Sequence, residues 1–148
     1  QHLKRLINYN LTSVRKRKDL VCRITALHYE NKSTVTEEIN EIINKLFESS
    51  IDIEHIQSYN DSNTENRETI KEEWGDELNG LGNLVILESS INKSISNKRY
   101  SIKKESYKKS KFKIVRNTLT DYEDWSKEDA VKRRKNLEKE IYDYLFVN

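Results

Sequence analysis

The chain has 148 residues, 34% of them hydrophobic and 35% charged, with a net charge of +2; its length suits one domain, and its periodic apolar clusters exclude disorder. No apolar run approaches the ~20 residues of a membrane-spanning helix, and no signal peptide opens the chain, so we expect neither a membrane segment nor export. The single Cys22 excludes an intrachain disulfide and a cysteine-rich zinc site, which favours the reducing cytoplasm.

Helical periodicity dominates the first fifty residues. Apolar spacing predicts a helix over residues 3–29, in two registers, and a second helix over residues 36–48. Thr34 and Glu37 have the pattern of a capping box at the start of the second helix. Residues 51–56 are rich in isoleucine and short, so we predict a strand there.

Turn-forming residues separate this strand from the next predicted elements. They fill residues 58–66, for which we predict a flexible loop. A short helix is predicted over residues 68–78, where it ends near an Asn-Gly turn signal, and a second strand over residues 83–88.

The rest of the chain is predicted to be helical. Ser89 or Ser90 could cap a helix that runs through Asn92 towards Tyr100, and further basic helix is predicted to about Leu119. A terminal helix is predicted over residues 127–145, because apolar residues recur at helical spacing and Ser126 stands at the N-cap position.

A carboxylate and an imidazole lie side by side at Glu54 and His55, and Asn92 follows the second strand where a helix begins. Phosphodiester cleavage needs an activated water and charge compensation on the phosphate. A neutral imidazole can take a proton from water, and Mg²⁺ prefers a few oxygen ligands. His55 therefore suits a general base, and Glu54 with Asn92 suits a metal site.

Strand geometry raises an objection to this arrangement. Adjacent residues on a regular strand point to opposite faces, so Glu54 and His55 can serve one metal centre only where a bulge or the strand end re-aims one of them. Asp52 shares the face of Glu54 and is the alternative metal ligand.

Together these motifs resemble those of HNH, or ββα-metal, endonucleases, and in particular the GmrSD-type branch of modification-dependent restriction systems. The matching residues are Glu54-His55, Trp74, Leu81-Gly82-Asn83-Leu84, Asn92, Lys103-Lys104 with Tyr107, Trp125, and Val131 with Arg134. The resemblance covers roughly residues 50–137. One departure is visible, since the family usually has Ile-Leu-Pro after the histidine and this chain has Ile56-Gln57-Ser58.

The resemblance implies a DNA endonuclease of restriction or anti-phage defence that depends on Mg²⁺ or Mn²⁺. It implies that His55 is the general base, that Glu54 and Asn92 bind the metal, and that Asn83 braces the loop between the strands. It also implies an N-terminal nucleotide-dependent regulatory domain. Because the chain starts at Gln1, we expect it to be the C-terminal part of a longer protein.

The expected fold is a mostly helical α+β domain that spans residues 1–148. A helical lead-in over residues 1–50 precedes a two-strand ββα-metal (HNH) motif at the centre, over residues 51–100. Further helices follow over residues 101–148.

Charge is unevenly distributed along the chain. Residues 30–80 contain fourteen acidic and four basic residues, whereas residues 93–116 contain ten basic residues and one acidic residue. Because the basic block follows Asn92 directly, we expect it to contact DNA phosphates without reading bases. The candidate contacts are Lys93, Lys98, Arg99, Lys103 and Lys104.

Two other functions fit the same sequence. The first is a non-catalytic nucleic-acid-binding module, in which the basic block works without a metal site; metal-dependent nicking of DNA distinguishes the two. The second is a structural helical interaction domain of a larger enzyme. It predicts neither metal binding nor salt-dependent DNA affinity.

Overall fold

The computed structural model describes residues 14–27, 50–59 and 67–146, together with residues 41, 44, 45 and 48, which are all helical. Several predictions fall outside these residues: the start of the first helix, the capping box at Thr34, most of the second helix and most of the loop at 58–66.

Helices make up most of the described chain. The elements are α1 (Val14–Leu27), β1 (Ile51–His55), α2 (Arg67–Trp74), β2 (Leu84–Glu88), α3 (Ser89–Ile95), α4 (Tyr100–Tyr107) and α5 (Lys127–Phe146). Shorter 3₁₀ turns span Gly75–Asn79, Leu81–Asn83 and Leu119–Asp121, and a π-helical turn spans Ile114–Thr118. The fold is therefore the predicted mostly helical α+β class. No helix among the described residues is both long and apolar enough to cross a membrane.

The two strands form one antiparallel sheet. Its register runs without interruption from Ile51 opposite Glu88 to His55 opposite Leu84. A two-stranded hairpin alone is marginally stable in water, so the sheet depends on its helices. Helix α1 packs against β2, α3 packs against both strands, and residues 84–87 are fully buried.

Helix α5 begins as its sequence predicts. The Ser126 hydroxyl accepts a hydrogen bond from the Asp129 backbone N–H at 3.2 Å, and the Asp129 carboxylate accepts one from the Ser126 N–H at 3.0 Å. This reciprocal pair satisfies two backbone donors that the first turn leaves open. The predicted N-cap at Ser126 is confirmed.

The first turns of α5 lie directly on the turn that precedes β2. A Cβ atom added at Gly82 would lie 1.8 Å from the Ala130 carbonyl oxygen, so only glycine fits this contact. The guanidinium of Arg133, which is 7% exposed, donates to the carbonyl oxygens of Leu81, Gly82 and Leu84 at 3.0–3.3 Å. Burial lowers the pKa of Arg133 to about 10, and the group stays charged at neutral pH.

Arg134, the arginine of the family motif, pairs with carboxylates, whereas Arg133 bonds backbone carbonyl oxygens. Its side chain is 20% exposed and pairs with Glu77 at 2.9 Å and with Glu138 at 3.0 Å. These contacts are those of a structural charge paired with two acids. The more deeply buried arginine is its neighbour Arg133, which the sequence analysis did not single out.

The helix predicted to run through Asn92 towards Tyr100 ends early, and the further basic helix predicted to about Leu119 ends at Tyr107. Helix α3 ends at Ile95, Ser96 adopts a left-handed φ of 47°, and a new helix starts at Tyr100. The Ser94 hydroxyl donates to the Ile91 carbonyl oxygen at 2.7 Å, a local bond of the kind by which serine competes with regular helix.

The predicted cap of α3 is also wrong. The N-cap residue is Glu88, without a side-chain capping bond, and both serines lie inside the helix. The Glu88 carboxylate instead accepts hydrogen bonds from the Ser110 hydroxyl and the Lys111 N–H, each at 3.0 Å. A contact across 22 residues of sequence therefore decides the role of this carboxylate.

We predict that Gly82→Ala destabilises the protein by roughly 3 kcal/mol, because the new methyl group meets backbone that cannot move independently. Gly75→Ala is the matched control. Gly75 has a φ of 52° and open space around it, so alanine there costs only about 1 kcal/mol of backbone strain. Urea unfolding of both variants measures how much free energy of unfolding each one loses. Equal losses in the two variants would contradict the close contact at Gly82.

Candidate active site

The alternation of side chains along β1 divides the candidate residues between two sides of the sheet. Asp52 and Glu54 share one side and His55 takes the other, because the register shows no bulge between them. The Asn92 side chain of α3 donates to the Asp52 carboxylate at 3.1 Å. Glu54 pairs with Lys103 of α4. Helices α3 and α4 therefore supply the partners on the carboxylate side.

Glu54 is buried, with 4% of its surface exposed. Its Oε1 lies 3.0 Å from Lys103 Nζ, and its Oε2 has no hydrogen-bond partner among the described residues. Burial raises the pKa of Glu54 to about 7, and the Lys103 charge only partly opposes this effect. The carboxylate is therefore close to half-protonated at neutral pH, and its Oε2 is buried without a hydrogen-bond partner among the described residues.

Lys103 lies inside the protein, with none of its surface exposed. Besides Glu54, its ammonium donates to the His55 carbonyl oxygen at 2.8 Å, the Ser58 hydroxyl at 2.9 Å and the Ile56 carbonyl oxygen at 3.3 Å. Burial lowers the pKa of Lys103, and the Glu54 charge opposes that shift. This lysine is therefore buried in contact with the candidate residue Glu54 and does not reach the protein surface.

His55 is the last residue of β1 and is half-buried. Its Nε2 lies 2.9 Å from Asn79 Oδ1, and the Tyr59 hydroxyl donates to the same oxygen at 2.7 Å. An amide oxygen only accepts hydrogen bonds, so Nε2 carries the proton and Nδ1 holds the lone pair. The sequence analysis assigned Asn79 and Tyr59 to a turn and a loop, and nothing local marked them as partners of His55.

Asn83 is completely buried and lies in the turn before β2, so its predicted place within the strand is wrong. Its Oδ1 accepts from the Gln57 N–H at 2.8 Å and from the Trp125 indole N–H at 3.0 Å. Its Nδ2 donates to the carbonyl oxygens of Gln57 at 3.0 Å and Leu78 at 2.9 Å. These bonds fix the loop after His55 at Gln57, one residue before the position where proline is missing.

The remaining basic candidates lie in α3, in the segment between α3 and α4, and in α4. Lys93, Lys98 and Arg99 are exposed. Lys104 is half-buried, and its ammonium donates to the Tyr122 carbonyl oxygen at 2.7 Å. The exposed candidates therefore lie next to Asn92 in sequence, and the two lysines within α4 are engaged by the protein.

The structure brings together some of the candidate metal-binding residues. Asp52 contacts Asn92, and Glu54 lies on the same side of β1. No group of three His, Cys, Asp or Glu residues that could hold a metal occurs in the part of the chain that the structure describes. Two carboxylates and an amide oxygen nevertheless fit Mg²⁺, which needs few protein ligands and keeps several waters. The unpartnered Glu54 Oε2 is consistent with such a ligand.

Comparison with known proteins identifies the class to which this fold and site belong. Residues 3–140 match the family described as GmrSD restriction endonucleases, C-terminal domain. The chain belongs to this family, which confirms the resemblance found in the sequence and extends it to most of the chain. No curated protein and no solved structure matches the chain.

We predict that the stability of the protein decreases between pH 5 and pH 8 because of Glu54. Its pKa in the folded state is raised to about 7, so its contribution is complete below its ordinary pKa of 4.5 and is lost as pH rises through about 7. The loss should be on the order of 2 kcal/mol. Urea unfolding across this range measures it, and Glu54→Gln is the control. A variant that retains the same pH dependence as the parent would assign the effect to other groups.

Proposed function

We propose that this chain is the cleavage domain of a restriction endonuclease, and that it hydrolyses phosphodiester bonds of DNA with Mg²⁺ or Mn²⁺. One observation carries the proposal: in a member of the GmrSD family, the buried Glu54 carboxylate keeps an unpartnered oxygen on the side of β1 where Asp52 meets Asn92. An unpaired buried polar atom is costly, and a functional ligand explains why it persists.

In this proposal Asp52, Glu54 and Asn92 hold the cation. Their carboxylate and amide oxygens are the hard ligands that Mg²⁺ and Mn²⁺ prefer. The bound cation supplies positive charge beside the phosphate that is cleaved. The family resemblance assigned this role to Glu54 and Asn92, and the contact between Asp52 and Asn92 supports Asp52 as a third member.

His55 activates the attacking water. The hydrogen bond from Nε2 to Asn79 fixes the ring and places the lone pair on Nδ1, the atom that we propose takes the proton. Once Nδ1 is protonated, the same Asn79 oxygen stabilises the imidazolium through Nε2. His55 is the last residue of β1, so the proposal places the cleaved phosphate at this strand end, within reach of both the imidazole and the cation. Tyr59 is exposed at this end, and the side chain of His55 is half-exposed.

DNA binding is proposed for the exposed cations that follow Asn92. Lys93 lies in α3, and Lys98 and Arg99 lie in the segment before α4. All three follow the proposed metal ligand Asn92 closely in sequence, so we propose that they contact phosphates beside the metal site. Such contacts position the DNA backbone and give salt-dependent affinity without sequence preference. An N-terminal nucleotide-dependent domain and the cytoplasmic location remain predictions from the sequence.

We predict that His55→Ala lowers metal-dependent nicking of supercoiled DNA by ~10²- to 10⁴-fold, the usual loss for a general base, with little change in DNA affinity. Tyr59→Phe is the matched control, since it removes one hydroxyl near the ring and retains the aromatic contact. It should reduce the rate only a few-fold. Cleavage by His55→Ala within about twofold of the parent would exclude His55 as the base.

We predict that Asp52→Asn, Glu54→Gln and Asn92→Ala each raise the Mg²⁺ concentration needed for half-maximal nicking, because each removes or weakens a ligand. The loss should be roughly 10-fold or more in each case.

The control for this series is Glu88→Gln. Glu88 is a carboxylate of the same sheet whose Oε2 is also buried without a partner, but its Oε1 is bonded to Ser110 and Lys111 and it lies outside the proposed ligand set, so its substitution should leave the Mg²⁺ requirement unchanged. An unchanged requirement in all three ligand variants would contradict the site, and activity that resists EDTA would contradict a metal mechanism. DNA binding without nicking in the parent would favour the non-catalytic binding module.

A further inference from the structure

We propose that Lys103 is a positioning residue of the active site: it holds the Glu54 carboxylate and the loop after His55 in place, and it does not contact DNA. The inference rests on the proposed metal-dependent cleavage. It replaces the interpretation of Lys103 as one of several phosphate contacts, and it separates this lysine from the other cations of the basic block.

The first argument is the number of hydrogen bonds around the ammonium. A lysine ammonium has three N–H donors. Four acceptors lie within 3.3 Å of Lys103 Nζ, namely Glu54 Oε1, Ser58 Oγ and the carbonyl oxygens of His55 and Ile56. With every donor engaged and none of the residue exposed, no donor remains for a phosphate.

The second argument concerns the orientation of Glu54. Lys103 holds Oε1, so the carboxylate presents Oε2, the oxygen that lacks a hydrogen-bond partner. Carboxylates that bind metals are commonly held by a second residue in this way, and loss of that residue typically costs 10- to 100-fold in metal affinity or activity. The ammonium also compensates a carboxylate that burial would otherwise leave without an opposite charge.

The third argument concerns the loop that carries the base. Lys103 binds the carbonyl oxygens of His55 and Ile56, and the Asn83 side chain binds the N–H and carbonyl oxygen of Gln57. The two side chains therefore hold consecutive residues of the loop from different elements. One residue, Lys103, joins the position of the base to the position of the metal-binding carboxylate.

Lys103→Met tests the proposal, because it keeps an unbranched side chain and removes the ammonium. Direct Mn²⁺ binding, measured by calorimetry, should weaken by ~10- to 100-fold, and the Mg²⁺ requirement for nicking should rise with it. DNA affinity in EDTA, and its dependence on salt, should stay as in the parent.

Lys98→Met is the matched control, since it removes an exposed lysine from the same basic block. It should reduce the slope of log affinity against log salt by about one and leave Mn²⁺ binding unchanged. The proposal is overturned if Lys103→Met reduces the salt slope as Lys98→Met does, or if it leaves Mn²⁺ binding within twofold of the parent.

A second measurement needs no substitution at Lys103 and remains decisive if Lys103→Met does not fold. Lysine acetylation of the parent, read by mass spectrometry with and without DNA, should modify Lys98 at least tenfold faster than Lys103. DNA should protect Lys98 and leave the rate at Lys103 unchanged. Fast modification of Lys103 that DNA suppresses would overturn the proposal.

The two proposals fail in different ways. A folded parent that binds Mn²⁺ but does not nick DNA contradicts the proposed function alone. The Mn²⁺ titration and the acetylation rates test the role of Lys103 without any cleavage.

Discussion

The buried amide of Asn83 makes four hydrogen bonds that join segments far apart in the sequence: the loop at Gln57, the turn at Leu78 and the indole of Trp125 just before α5. A buried polar group left without a partner costs about 1–3 kcal/mol, so each segment is held in place by the others. The loop that carries the histidine is therefore held by Asn83, 26 positions away from Gln57, and Asn83 is itself held by Trp125, 42 positions further along the chain.

Helix α5 makes this arrangement rigid. Its backbone lies on Gly82, and its Arg133 guanidinium binds three carbonyl oxygens of residues 81–84. Those carbonyl groups lie in the turn and at the start of β2. A buried charged donor makes stronger hydrogen bonds than a neutral one, and losing these acceptors would leave its charge unpaired inside the protein. Two short strands thus acquire a fixed position that their own pairing would not provide.

Several elements could be predicted from the sequence because local patterns determine them. The strand at residues 51–55 and the helix that starts after Ser126 follow from β-branched residues, periodicity and capping chemistry. Burial of Trp74, Trp125, Tyr100, Tyr107 and Phe112 follows from their apolar surface. The break at Ser96 could not be predicted, since a left-handed residue there depends on how α3 and α4 pack.

The candidate site was less accessible to sequence reasoning. Lys103 and Lys104 are adjacent and chemically identical, and only the contact with Glu54, 49 residues away, shows which of them is enclosed. Asn79 and Tyr59 likewise acquire their relation to His55 only when the chain folds. Residue types and motif spacing identified the candidate site residues. The partners of each candidate residue come from contacts between distant segments, which the sequence does not show.

The adjacency of Glu54 and His55 in sequence separates them in space, and this separation suits the proposed chemistry. A carboxylate that faces an imidazole favours the imidazolium, which cannot accept a proton from water. On a regular strand the two side chains point to opposite sides, so Glu54 meets the Lys103 ammonium and His55 meets the neutral Asn79 amide. Lys103 connects the two residues, because its ammonium binds both the Glu54 side chain and the His55 backbone carbonyl oxygen. The proposed metal ligand and the proposed base can therefore be adjacent in sequence without forming an ion pair with each other.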